Sequence, residues 1–244
     1  MADLRFALVN GDNFDRMPDP ALAGASCRGC DYWETLDGAR QGPPSASRRA
    51  AKLARLTAGA RLAGSYALLG WRADQPDDST AIAYAQFGPI SVYPRAQAIR
   101  DRYPDLPESP PPYVITCLQV NAGDPAERGE IAEAVLREVC AELDRRGVVG
   151  VEAYPESVAD AWLPSPGPPA VYEAAGFAHV AGDDRYPVFR IELSGGGVDL
   201  AWPAELLGRS DDADEWPLPI PRAPADDAWP PLPKPKTRNP FGED

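Results

Sequence analysis

The sequence predicts a mixed α/β domain over residues 1–194 and a tail of different character over 195–244, and three observations predict it. Short apolar stretches, alternating or continuous, recur between turn-forming residues, which is the pattern of strands. One long stretch, Asp124 to Gly147, carries apolar residues at helical spacing with start and stop signals at both ends. Beyond Ser194 the periodicity stops, and GGG at 195–197 opens a segment that holds ten of the 29 prolines, ten acids and five bases. Such a segment cannot bury enough apolar surface to offset the entropy of ordering it, so a disordered or loosely draped tail is expected.

The elements follow in order. Leu4 to Val9 alternates like a strand, and Ser47 to Thr57 (SRRAAKLARLT) places Ser at a cap position before an Ala/Leu/Arg helix. Gly64 to Arg72 and Thr80 to Phe87 are strand-like runs separated by ADQPDDS, which makes an antiparallel pair the natural reading. PDLPESPPP, 104–112, is too proline-rich for regular structure, and Tyr113 to Val120 (YVITCLQV) is a near-continuous apolar run, hence a buried central strand. In the long helix Asp124 is the cap, Pro125 the first residue and Glu127 the capping-box acid. Ile131, Val135, Val139 and Leu143 share one face, and Gly147 is the terminator. VVGVEAY at 148–154 is a short buried strand, Pro168 to Ala175 a short helix, and Phe177 to Ala181 and Val188 to Leu193 are closing strands.

A chain of 244 residues with 44% hydrophobic and 25% charged residues has the composition of a soluble globular protein. A net charge of −13 and a pI near 4.6 argue against binding a nucleic-acid backbone or an anionic membrane surface, since both need a basic face. A cationic or neutral partner suits the charge better. MADLRFALVNGDNF lacks the basic region and apolar core of an export signal, so a cytoplasmic protein with four reduced cysteines is expected.

The element order resembles the GNAT superfamily of acetyl-CoA-dependent N-acetyltransferases over residues 1–193. CRGCDYWE (27–34), AQFGP (85–89), YVITCLQV (113–120) and SPGPPAVYEAAGF (165–177) are similar to a bacterial branch with a Cys-rich, Tyr-Trp-containing segment near the start. The resemblance implies an α/β (α+β) fold with a mixed, mostly antiparallel sheet flanked by helices and splayed central strands. It further implies acetyl-CoA as co-substrate and a primary amine, on a small molecule or a protein, as acceptor. A homodimer stays open.

Residue by residue, the resemblance puts the pantetheine arm against the backbone of Leu118, Gln119 and Val120. It puts the pyrophosphate at Arg128, Gly129, Ile131 and Ala132, although Glu130 stands where the family carries a small residue, and Asp124 and Glu127 crowd a helix end that should welcome an anion. Tyr172 of VYEAAGF corresponds to the tyrosine that protonates the leaving thiolate; the other reading is a packing aromatic beside Gly176. Glu152 is the candidate general base, against an outward-facing strand carboxylate. Cys30, Tyr32, Trp33 and Glu34 border the acceptor site with an aromatic wall and an acid. His179, the only histidine, reads as a surface strand residue. Cys27-x-x-Cys30 lacks the second matched pair of a structural zinc site, so no metal is expected. The rival function is a GNAT-like domain without catalysis that binds a metabolite or partner through the tail, where Trp-Pro recurs at Trp202, Trp216 and Trp229 and PPLPKPK (230–236) favours a polyproline helix.

Overall fold

The computed structural model describes residues 3–20, 25–36, 45–59, 64–76, 78–107, 110–155, 166–184 and 187–195. The Trp-Pro segment and the polyproline motif lie outside the described residues, as does nearly all of the proposed tail.

Seven strands form one sheet: β1 (Leu4–Leu8), β2 (Ala67–Arg72), β3 (Ala83–Pro89), β4 (Tyr113–Val120), β5 (Gly150–Ala153), β6 (Ala178–Ala181) and β7 (Val188–Glu192), in the order β1-β2-β3-β4-β5-β7-β6. All neighbours are antiparallel except the central pair β4 and β5. Among the described residues four helices flank it: α1 (Ala46–Leu56), α2 (Pro94–Arg100), α3 (Pro125–Arg145) and α4 (Pro169–Ala174). The sheet is therefore mixed and mostly antiparallel, as the resemblance implies. No helix among the described residues is long and apolar enough to cross a membrane.

Local chemistry accounts for the boundaries. The Asp124 carboxylate accepts from the Glu127 N–H at 2.8 Å and Pro125 follows at the first helical position, so the capping read from the sequence is realised. For α1 the cap is Ser45, whose hydroxyl accepts from the Arg48 N–H at 3.2 Å, not Ser47, which lies inside the helix. Helix α2 had no counterpart in the sequence reading. It is seven residues long and starts on Pro94, and nothing in PRAQAIR repeats often enough to show a face.

The two faces of the sheet build separate cores. One lies under α3 and α4, where Ile131, Val135, Leu136, Val139 and Leu143 meet Ala83, Ala85, Phe87, Ile115, Leu118 and Val120. The other lies under α1, α2 and the N-terminal segment and contains Trp33, Leu56, Trp71, Tyr84, Tyr93, Val114 and Cys117. Ile115 and Leu118 share a face although they differ in parity, so β4 must carry an irregularity between them. It does: Gln86 pairs with Cys117 and Phe87 with Ile115, which leaves Thr116 as an extra residue, a β-bulge.

Leu136 is fully buried on the apolar face of α3. Leu136→Ala is expected to lower stability by about 2–5 kcal/mol through lost burial and the cavity left behind, read from the midpoint of a urea unfolding curve.

Candidate active site

The bulge positions the site. Parallel pairing of β4 with β5 runs from Tyr113 opposite Val151 to Ile115 opposite Ala153 and stops immediately before Thr116. On β5 the next residues are Tyr154 and Pro155, and proline has no N–H with which to extend a ladder. Residues 116–120 of β4 thus run on beyond the parallel partner. The Asn121 N–H donates to the Ile82 carbonyl on the β3 side at 2.7 Å, and backbone groups alternate along an antiparallel strand. The amides of Leu118 and Val120 therefore turn to the side that β5 has left, whereas that of Gln119 turns toward β3. Of the three residues assigned to the pantetheine arm, two present their backbone to the opening, and Gln119 contributes its side chain to the crevice described next.

That crevice lies on the α1 side of the opening and is lined by Cys30, Lys52, Gln86, Cys117, Leu118 and Gln119, among others. It joins one predicted acceptor residue, Cys30, to two predicted cofactor residues. Lys52 is the finding that the sequence reading missed. Although it sits in a helix rich in basic residues, its side chain is only 2% exposed. Its ammonium donates to Glu34 Oε1 at 2.5 Å and to Gln86 Oε1 at 2.6 Å, while Gln86 Nε2 donates to Glu34 Oε1 at 3.1 Å and the Tyr84 hydroxyl to Gln86 Oε1 at 2.9 Å. Burial acts to lower the Lys52 pKa, but the Glu34 carboxylate and neighbouring thiols outweigh it and hold the ammonium above its usual value. Trp33 is buried, with Tyr32 edge-on at 5.5 Å, and the Arg95 guanidinium lies 3.9 Å from the Tyr32 ring. Of the predicted acceptor wall, Cys30 reaches the crevice directly and Glu34 through Lys52, while Trp33 belongs to the core.

Tyr172 is fully buried, stacked on Phe189 and edge-on to Phe177. Its hydroxyl donates to the Pro166 carbonyl. The adjoining Gly167 has φ +90°, and a Cβ there would come within 3.2 Å of the Leu118 side chain. Only glycine combines that backbone with that approach. The Tyr172 hydroxyl is consequently held one residue from the segment that abuts Leu118, so the aromatic packs in the core and borders the opening at once. Burial raises its pKa well above the usual value, with smaller contributions from Cys117 and Cys140.

Glu152 is neither exposed nor outward-facing. Its carboxylate is fully buried on the α2 side, where it accepts from Arg190 Nη1 at 2.7 Å, Arg100 Nε at 3.0 Å and the Tyr154 hydroxyl at 2.5 Å. With both oxygens so occupied it serves as the shared anion of two arginines, and the general-base role read from the sequence is corrected on that ground.

The pyrophosphate assignment needs a similar correction. Ile131 and Ala132 point into the core and lie in the second turn of α3, beyond the free N–H groups of the first. The Arg128 guanidinium folds back onto the Ala122 carbonyl, with Nη2 at 2.7 Å. Gly129 faces open space, and Glu127 is ion-paired with Arg72, which offsets part of the acidity at this helix end. His179 is exposed on β6 beside Phe189. All four cysteines are free thiols, and among the described residues no group of three or more His, Cys, Asp or Glu is placed to hold a metal.

A mixed, mostly antiparallel sheet whose parallel pair among the described residues parts after Ile115 is the architecture with splayed central strands that the sequence resemblance implies. The fold is GNAT-like. No family model matches the chain, and no curated protein matches it. Similar solved structures include an N-acetyltransferase from Staphylococcus aureus Mu50, 12% identical over 78% of this chain and 99% of that one, with a TM-score of 0.44. Another is yncA, a putative acetyltransferase from Salmonella typhimurium solved with its cofactor acetyl-CoA, 14% identical over 78% and 94%, with a TM-score of 0.43. A third is the C-terminal condensation domain of Ebony in complex with beta-alanyl-dopamine, 10% identical over 79% and 100%, with a TM-score of 0.47. At these identities and TM-scores none of the three says what this chain does.

Two outcomes follow from this geometry. Removing the Glu152 charge in Glu152→Gln takes from Arg100 its carboxylate partner and leaves Arg190 with Glu192 alone, and is expected to cost about 3 kcal/mol of stability, measured by chemical denaturation. Burial raises all four thiols, Cys27 and Cys140 to about 12, so a disulfide reagent at pH 8 should label them far more slowly in the folded chain than in guanidinium chloride, with absorbance of the released thiolate as readout.

Proposed function

We propose that the chain is an acetyl-CoA-dependent N-acetyltransferase that passes the acetyl group to a primary amine by direct attack. The observation that carries the reading is the opening between β4 and β5, into which Leu118 and Val120 turn their backbone, beside a crevice lined in part by Lys52. An extended chain with amide groups, such as pantetheine, is bound at such an edge by strand-like hydrogen bonds. Acetyl-CoA supplies the thioester; the amine nitrogen bonds to its carbonyl carbon, and the carbon–sulfur bond breaks.

The residues of this chain act around that exchange. An amide of β4 aimed at the carbonyl oxygen stabilises the charge that develops there, and the buried ammonium of Lys52 adds a cation to the same crevice. Tyr172, protonated at neutral pH, gives a hydrogen bond to the departing thiolate in place of the one it gives to Pro166. The acceptor amine loses its proton to a group other than Glu152, which is committed to Arg100 and Arg190. At the far end the residues fit the pyrophosphate less well, because Asp124 occupies the α3 N-terminus as its cap and Glu127 stands beside it. The negative charge of the chain favours a basic acceptor, on a small molecule or a protein, over an anionic one.

Calorimetric titration with acetyl-CoA and with CoA tests the reading. Binding at micromolar concentration is expected, with Tyr172→Phe retaining that binding and losing about 10²-fold in turnover of an amine acceptor. No heat at millimolar cofactor would end the enzyme reading.

A further inference from the structure

The motif that the proposed function leaves unused is Cys27-Arg28-Gly29-Cys30. It forms one 3-10 turn, Cys27–Gly29 with Cys30 at its end, closed by the Cys30 N–H, which donates to the Cys27 carbonyl at 3.4 Å. A 3-10 helix has three residues per turn and rises about 2.0 Å per residue, so side chains three apart eclipse and their Cα atoms stand about 6 Å from each other. That separation lies inside the range of about 4.4–6.8 Å that a disulfide spans without moving the backbone.

The surroundings of the turn divide its side chains. Arg28 is held on the outside, where its guanidinium donates to the Asp15 carbonyl at 3.0 Å and pairs with Asp19. Ser26, just before the turn, donates to the Asp19 carboxylate at 2.9 Å. The two cysteines face inward instead. Both are buried free thiols, and both line the crevice that Lys52, Cys117 and Gln119 also line. Two thiols on eclipsed positions of one turn, open to one crevice, meet without a main-chain rearrangement. Cys117 reaches the same crevice from β4, where its backbone is paired with Gln86, so a bridge to it would have to tie the turn to the sheet.

We propose that Cys27 and Cys30 are a redox-active pair that closes to a disulfide by exchange with a low-molecular-weight disulfide such as oxidised glutathione. One cysteine thiolate attacks a sulfur of the oxidant and displaces a glutathione thiolate; the other cysteine attacks the mixed disulfide and displaces the second. The chain loses two thiol protons and two electrons, and the oxidant leaves as two molecules of glutathione. The reaction needs neither acetyl-CoA nor an acceptor, so it stands apart from acetyl transfer. Burial raises both thiols, Cys27 to about 12, while the Lys52 ammonium works against it. Exchange near neutral pH is therefore slow. The reduced pair also gains nothing from ionisation there, unlike dithiols whose stabilised thiolate makes their disulfides strong oxidants.

The test equilibrates the full-length chain, without air, in mixtures of reduced and oxidised glutathione at pH 8, quenches with acid and maps the cysteines by mass spectrometry after proteolysis. A bridge between Cys27 and Cys30, lighter by two hydrogens and reversed by dithiothreitol, is expected. Its rate of formation should rise about tenfold from pH 7 to pH 8, because the attacking thiol titrates above that range. Cys27→Ser and Cys30→Ser each abolish it, whereas Cys117→Ser changes the oxidised fraction by less than about twofold. The mapping of the unsubstituted chain decides the matter even where a serine variant fails to fold. A bridge to Cys117, a lasting mixed disulfide with glutathione at Cys27 or Cys30, or a pair that stays reduced in the folded chain at every ratio overturns the proposal.

Discussion

Thr116 is one residue more than the pairing of β3 with β4 requires, and the layout of the site depends on where that residue falls. Placed after Ile115, it bends β4 just where β5 stops pairing, so the two central strands part instead of running on together. It also changes the parity of the strand. Leu118 and Val120 return to the α3 face that Ile115 occupies, and Cys117 is sent to the α1 face beside Lys52. A strand without the bulge would keep either the register before it or the register after it, and one of the two cores would then receive the wrong set of side chains.

The two faces of the sheet have different chemical characters. Under α3 and α4 the core is apolar, and among the described residues Tyr172 is its one fully buried polar aromatic, with Tyr113 packed at the edge. Under α1 and α2 lie two buried ionic clusters, Lys52–Glu34 with Gln86 and Tyr84, and Glu152 with Arg100, Arg190 and Tyr154. Buried charge adds little net stability, because desolvation offsets most of the Coulomb attraction. Lys52 of the first cluster lines the crevice beside the opening of the sheet, whereas the Glu152 cluster ties α2 to β5 and β7 and extends through Arg190 to the exposed Glu192.

How much of this was legible depended on whether the signal was local. Helix α3 announces itself because Asp124, Pro125 and Gly147 act within a few residues of one another. The run YVITCLQV marked β4 to the residue and concealed its bulge, since a strand buried on both faces has no alternation for an extra residue to interrupt. Lys52 in SRRAAKLARLT reads as one more solvated base. Its partners Glu34 and Gln86 lie 18 and 34 residues away, a relation that no periodicity encodes. Glu152 was read as a free base or an outward acid because its two arginines come from 52 residues earlier and 38 residues later. The resemblance carried Leu118, Val120 and Tyr172 to the neighbourhood of the opening, but it gave no account of Ile131 and Ala132, whose apolar side chains belong to the helix face that the same sequence displays.

The depth of Tyr172 bears on how it can act. A phenol has a pKa of about 10 in water and a thiol about 8.5, so a tyrosine buried alone becomes a poorer acid and would not surrender its proton to an ordinary thiolate. The comparison in water is the wrong one, however, because a thiol in the same interior loses its hydration too: Cys117 and Cys140, the groups that Tyr172 senses, are both raised by burial. What decides the direction of transfer is the difference between two desolvated acids, and that difference changes less than either value alone. A thiolate generated at the opening would have the Tyr172 hydroxyl one carbonyl away, at Pro166, and the more the opening excludes water, the more basic that thiolate becomes.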